Sequence, residues 1–283
     1  MLRHGYVDSR YGQLHYAIAQ PAGATSKTPF VLFHQSPNSS VEFDALTLEL
    51  GKDRICIAPD TPGHGSSDGP DTFPTIEDYA ATMVEALGRL GYGPDRPIDI
   101  FGFHTGSRIA TEVAVSHPTM VRHVILGLSP YALIDDALAK KLFDEVRHPA
   151  SAQDLLEHFA ATLPEKIERV RREGFPDPAW GRIAIESLRP HVKHEFGHAA
   201  AYEYSPRFKA RLLQITQPIQ LLVVDDPVDS YQSGRTSGDM SRALKPLLAN
   251  AKTVEILDDD FHNNAFYVRA QDMAAGFRRF VDR

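Results

Sequence analysis

Cysteine is almost missing from this chain. The one residue, Cys56, sits in the apolar segment Arg54-Ile55-Cys56-Ile57-Ala58, which excludes an intrachain disulfide and reads as a buried structural thiol. With no cross-links, 283 residues must be held by a packed core, and that length suits one α/β core carrying one sizeable insertion. Long hydrophobic runs are also lacking. No stretch approaches the roughly 18 apolar residues of a membrane span, and Met1-Leu2-Arg3-His4-Gly5-Tyr6-Val7-Asp8 has no apolar signal core. A cytoplasmic protein without membrane contact is the expectation. Nor is there a Lys/Arg run to track a phosphate backbone, and the net charge is -7, so nucleic acid is not an expected partner. What is present is ordinary: 42% hydrophobic and 24% charged residues place the chain among globular proteins rather than disordered or fibrous ones.

Strand patterns fall at residues 14–20, 30–34, 54–60, 98–103 and 121–128. Helical stretches lie between them, notably 75–90 and 105–116, the latter with Ile109 and Val113 on one face. Alternation of this kind implies a mostly parallel sheet covered on both faces. After Leu128 no strand-like run appears for some 85 residues, and Leu155, Phe159, Leu163, Ile167 and Val170 recur at helical spacing. Strands resume at 219–224 and 253–257, and a closing helix aligns Phe266, Ala270, Met273, Phe277 and Val281. The expected organisation is a single domain, with core at 1–130 and 213–283 and a helical insertion at 131–212.

The segment Gly102-Phe103-His104-Thr105-Gly106 joins a strand directly to a helix. A turn that tight needs nearly side-chain-free residues two before and two after its apex, which makes His104 the projecting residue. Here the sequence resembles the α/β-hydrolase superfamily, as an atypical member with His where the nucleophilic Ser normally stands. His34-Gln35-Ser36-Pro37 is similar to that family's His-Gly-x-Pro oxyanion loop, with Gln35 in place of glycine. Asp60-Thr61-Pro62-Gly63-His64-Gly65-Ser66-Ser67-Asp68 is similar to its Asp-x-Pro-Gly-x-Gly-x-Ser signature. The resemblance implies a triad acid at Asp226, with Asp225 and Asp229 as alternatives, and a base at His262, in the family's chain order. It also implies an oxyanion hole from the backbone N–H groups of Ser36 and Thr105, and a cap formed by the helical insertion. His34, Gln35, Phe103, His194 and His198 are the expected substrate contacts.

Three readings of the site stay open. Neutral imidazole is a nucleophile that need lose no proton before attack, so His104 could take an acyl group from an ester or thioester, with His262 and Asp226 driving deacylation. Alternatively, the His262–Asp226 pair is a general base for lyase or cofactor-free oxygenase chemistry, as in hydroxynitrile lyases and hydroxyquinolone dioxygenases of this superfamily. The third is a pseudoenzyme that binds a ligand in the retained pocket. All three expect a small molecule, carbonyl-containing in the first, between core and cap, and none needs a cofactor. A homodimer is open, since nothing in the residues fixes the oligomeric state.

Several features carry a plainer reading. His194-Glu195-Phe196-Gly197-His198 matches H-E-x-x-H, but Ala201 and Tyr204 stand where a longer zinc motif needs Gly and His. No metal is expected there, nor at a convergence of His104, His262 and His34, whose geometry the sequence cannot give. His191, His194 and His198 read as one helical face, solvated or lining a pocket. Trp180, Phe175, Tyr202 and Tyr204 form either an aromatic wall or the insertion's own core. Ser107 reads as a helix-surface residue, Asp258–Asp260 as a solvated loop, and His34 as an anchor beneath the oxyanion turn.

Overall fold

The computed structural model describes residues 1–129, 131–147, 151–172, 174, 177–192, 196–224, 234–261 and 265–283. Eight strands form one sheet: β1 (Arg3–Ser9), β2 (Gly12–Ala19), β3 (Phe30–Phe33), β4 (Cys56–Pro59), β5 (Ile98–Phe103), β6 (Val121–Gly127), β7 (Ile219–Val224) and β8 (Val254–Phe261). Their order is β1-β2-β4-β3-β5-β6-β7-β8, antiparallel at β1–β2 and β2–β4 and parallel thereafter. The described helices are α1 (Asp44–Leu50), α2 (Ile76–Arg89), α3 (Thr105–Ser116), α4 (Asp136–Val146), α5 (Ala152–Arg172), α6 (Asp177–Val192), α7 (Gly197–Leu212), α8 (Ser237–Leu244), α9 (Ala265–Val268) and α10 (Ala270–Val281).

Alternation along the central strands divides the core between two faces. Val31, Phe33, Ile98, Ile100, Val124 and Leu126 join one buried cluster with α2, α3 and α7. Phe30, Leu32, Phe101, Phe103, Ile125 and Leu222 join the other, under α1, α9 and α10. Burial on both faces is why these strands read as continuous apolar runs. Helix α2 starts where its sequence says it should: Thr75 accepts from the Asp78 backbone N–H, while the Asp78 carboxylate accepts from that of Thr75.

Three elements depart from expectation. β1 was not foreseen, because it is an edge strand whose exposed residues carry no apolar alternation, and only its hairpin register with β2 orders it. β8 runs on through Asp258–Asp260, expected as loop, since pairing with β7 reaches Val224↔Phe261 and overrides aspartate's poor strand propensity. Helix α7 falls inside the range expected as insertion, yet its Ala200, Tyr204, Phe208 and Leu212 are fully buried in the cluster shared with α2 and α3.

A polar clamp fixes α7 on α3. Arg211 donates to both Glu112 carboxylate oxygens at 2.7 Å, and the buried Tyr204 hydroxyl donates to the same carboxylate. Removing Glu112 leaves a buried hydroxyl and a half-buried guanidinium without their acceptor. Glu112→Ala should therefore lower unfolding free energy by about 2–3 kcal/mol in urea titration. An unchanged midpoint and slope would mean that the clamp contributes nothing.

Candidate active site

A single residue separates β5 from α3, and that residue is His104, at φ 46° and ψ -107°. A positive φ at a non-glycine residue costs on the order of 1–3 kcal/mol and persists only where its surroundings hold it. They do so here. The His104 backbone N–H donates to the Gly127 carbonyl at 2.8 Å, while its own carbonyl accepts from the Ser107 N–H at 3.0 Å and from Ser107 Oγ at 2.6 Å. Ser107 is accordingly fully buried as a brace for the turn, not the surface residue expected. A Cβ on Gly102 would overlap the Gly106 carbonyl oxygen, and one on Gly106 would overlap that of Phe33, so both glycines are sterically required.

The His104 ring stacks on Phe103 with centroids 4.1 Å apart. Burial, then the Arg108 charge and the neighbouring His198, push its pKa down to about 3, so the imidazole is neutral at ordinary pH. It opens into a cavity of about 180 Å³. Gln35, Ser36 and Thr105 form one side of it, and Arg108, Ser129, Tyr131, His198 and Tyr202 are among its other walls. Thr105 opens α3, and the N–H groups of Thr105 and Gly106 precede the first hydrogen bond of that helix.

Of the residues expected at the site, Gln35, Ser36, His104, Thr105 and His198 share this cavity; His34 and Phe103 are not among its walls. Phe103 is fully buried between His104 and Phe266, a support beneath the apex rather than a substrate contact. His34 is committed elsewhere: its Nε2 accepts from the Thr61 N–H at 2.8 Å and its Nδ1 faces the Gln35 carbonyl at 2.7 Å. Burial, chiefly, lowers its pKa to about 4, and the neutral Nδ1–H tautomer satisfies both bonds. Asp226 and His262, with Asp225, Asp229, His194, Glu195 and Phe175, lie outside the described residues. β7 and β8, the strands that precede 226 and 262 in sequence, run parallel to β5 and so end at the same, C-terminal, end of the strands as the elbow.

His191 and His198 stand on different helices, α6 and α7, because α6 ends at Val192; they do not share one helical face. Tyr202 lines the cavity, whereas Tyr204 is a core residue and Trp180 is half-buried. Among the described residues no group of three or more His, Cys, Asp or Glu is placed to hold a metal ion. Arg108 was missed. It lies four residues after the apex, hence one turn along the same helical face, and that spacing was the available signal.

The loop that carries Gln35 and Ser36 is held from behind by Glu42. Glu42 accepts from the Gln35 backbone N–H at 2.9 Å, Gln35 Nε2 at 3.0 Å and Asn38 Nδ2 at 2.9 Å. The side chain that replaces the expected glycine thus serves as a clamp. Asp60, from the Asp-x-Pro-Gly-x-Gly-x-Ser segment, accepts from the backbone N–H groups of Ser40 and Ser66 and faces His15 Nδ1 at 2.8 Å, tying two loops to the sheet. Arg189 of α6 donates to Ser66 Oγ at 3.1 Å, so α6 lies against that segment.

The α/β hydrolase fold family model matches residues 28–264, and the chain belongs to that family. Haloalkane dehalogenase 2 of Mycobacterium tuberculosis is 33% identical over 143 residues, covering 50% of this chain and 46% of that protein. The 2-(acetamidomethylene)succinate hydrolase of Mesorhizobium japonicum is 27% identical over 162 residues, 54% of this chain and 56% of that one. The matched region thus spans about half the length of these curated relatives. The enol-lactonase from Burkholderia xenovorans superposes with a TM-score of 0.69 over 99% of this chain and 100% of its own, at 18% identity, which carries the fold alone. No helix among the described residues is long and apolar enough to cross a membrane.

Burial raises the Glu42 pKa from its ordinary 4.5 to about 7, against the pull of its three donors. Below pH 4.5 the carboxyl is protonated in both folded and unfolded chains; as pH rises the unfolded chain ionises first, so stability falls until about pH 7. Glu42→Gln should remove this loss, amounting to at most about 3 kcal/mol. Asn38 Oδ1, buried and without a hydrogen-bond partner, can turn to accept from the new amide. Urea titrations at pH 5 and pH 7.5 test it, and parallel pH dependence in both proteins would refute it.

Proposed function

We propose that the protein is a hydrolase-like enzyme acting on a small carbonyl-containing substrate, an ester or thioester, with His104 as nucleophile. The observation that carries this reading is the strained elbow, which holds a neutral imidazole at the mouth of a polar cavity beside the first turn of α3. A nitrogen lone pair of His104 bonds to the carbonyl carbon, and the developing oxyanion is received by the N–H groups of Ser36 and Thr105. Collapse breaks the bond to the leaving group, which departs with the imidazole N–H proton passed on by His262, and leaves a neutral acyl-imidazole. His262, with Asp226 orienting it, then takes a proton from water as the water attacks the acyl carbon and returns it to the departing His104 nitrogen, releasing the carboxylic acid and restoring neutral His104. Helices α4 to α6 act as the cap that limits water. Relatives named as a dehalogenase and a succinate-derivative hydrolase support hydrolytic chemistry.

A second reading also has an observation in its favour. An imidazole whose pKa is lowered to about 3 is a weak base but a good hydrogen-bond donor, suited to polarising a carbonyl while His262 removes a proton. In that case no covalent adduct forms.

Turnover of short-chain p-nitrophenyl esters separates the two. His104→Ala should reduce kcat by about 100-fold or more, and His262→Ala should accumulate an acyl group on the peptide containing His104, seen by mass spectrometry. Turnover that persists in His104→Ala would overturn the nucleophile assignment. Loss of turnover without an adduct in any variant would favour the polarising role.

A further inference from the structure

Arginine is seldom buried without a carboxylate, because the desolvation cost of an unpaired charge is several kcal/mol. This protein follows that rule at Arg54, which is fully buried and reaches both Asp53 and Asp282 within 3.0 Å. Arg108 breaks it. Its side chain is only 2% exposed, it lines the same cavity as His104, and no carboxylate pairs with it among the described residues. Two of its donors go to backbone carbonyls, of Tyr131 at 3.2 Å and, at the limit of a hydrogen bond, of His104 at 3.5 Å. Phe208 lies under the guanidinium at 5.0 Å, fixing its plane without neutralising it. Nε is buried with no acceptor. A guanidinium carries five N–H groups, so Nε–H and further Nη–H groups remain for a ligand.

We infer that Arg108 is the carboxylate-binding element of the cavity, selecting substrates that carry a free carboxylate beside the reacting carbonyl group. The inference rests on the reading of this cavity as the substrate site. The described walls support it: Arg108 and His198 contribute basic groups, and no acidic side chain is among them. Burial lowers the Arg108 pKa only to about 10, so it remains a cation at neutral pH. A planar carboxylate meets the guanidinium fork with two charge-assisted hydrogen bonds and supplies the countercharge that the described residues do not.

The test is calorimetric and does not depend on turnover. Wild-type protein is titrated with succinamate, with succinamide, which replaces the carboxylate by an amide of the same shape, and with inorganic phosphate. Succinamate should bind about 10- to 100-fold tighter than succinamide and tighter than phosphate. Arg108→Gln, and less severely Arg108→Lys, should erase that preference while leaving succinamide affinity unchanged. Equal affinity for succinamate and succinamide in the wild type, or no binding of either, overturns the inference whether or not the variants fold. Tighter binding of phosphate overturns it in favour of a phosphoryl ligand. An equal loss for both amides in folded Arg108→Gln assigns the residue a structural role instead. Failure of ester hydrolysis, by contrast, would leave this result intact.

Discussion

The structure turns on a left-handed backbone conformation at one histidine. Only one residue separates a fully buried strand from a helix, so the chain reverses within it, and the strain is held by Gly127 ahead and Ser107 behind. The tightness dictates the rest. Gly102 and Gly106 allow α3 to settle against β3, the first turn of α3 comes to border the cavity through Thr105, and Arg108 follows one turn later on the same side. The cavity is therefore a consequence of the elbow. The frame rests on the neighbours of the apex, Gly102, Gly106, Gly127 and Ser107, and not on the His104 side chain.

Around the elbow, buried charge is used in two ways. Glu42 and Asp60 accept backbone N–H groups and set the loops that frame the cavity, while Glu112 fixes α7 through Arg211 and Tyr204. These anions are satisfied by several donors each, as buried carboxylates must be. Among the described residues Arg108 has only carbonyl oxygens as acceptors, which are dipoles and not countercharges. A cavity framed by these satisfied carboxylates and carrying such a cation in its wall is prepared for a negatively charged guest.

What the sequence made legible was what depends on local rules. The two glycines, the strand–helix junction and the period of the central strands mark the fold and the apex without any tertiary information, and Ser36, Thr105, Gln35 and His198 do converge on one cavity. What it hid depends on packing. β1 has no apolar alternation because it lies at the edge of the sheet with its residues at most half-buried, and that position appears only once β2 is in place. The sequence allows His34 to be both a substrate contact and an anchor beneath the turn, and its bonds to the Thr61 N–H and the Gln35 carbonyl decide for the anchor. Arg108 was passed over because an arginine on a helix is ordinarily a solvated residue, and only the closure of α7 through Phe208 shows that this one is not.

The same two residues also constrain each other. Burial is the larger cause of the low His104 pKa, but the Arg108 charge adds to it, and a less basic imidazole is a poorer nucleophile. A carboxylate seated on Arg108 would offset that charge without rehydrating the site, raising the basicity of His104 only when substrate is present. The ring would be neutral in both states but more nucleophilic in the loaded site, with binding energy at the carboxylate spent on the reacting centre. A serine at the apex could not be tuned this way directly, because its hydroxyl needs a base to take its proton. Histidine at position 104 and arginine at position 108 therefore make sense as a pair: the arginine selects the substrate, and the selected substrate lifts the penalty that the arginine imposes on the histidine.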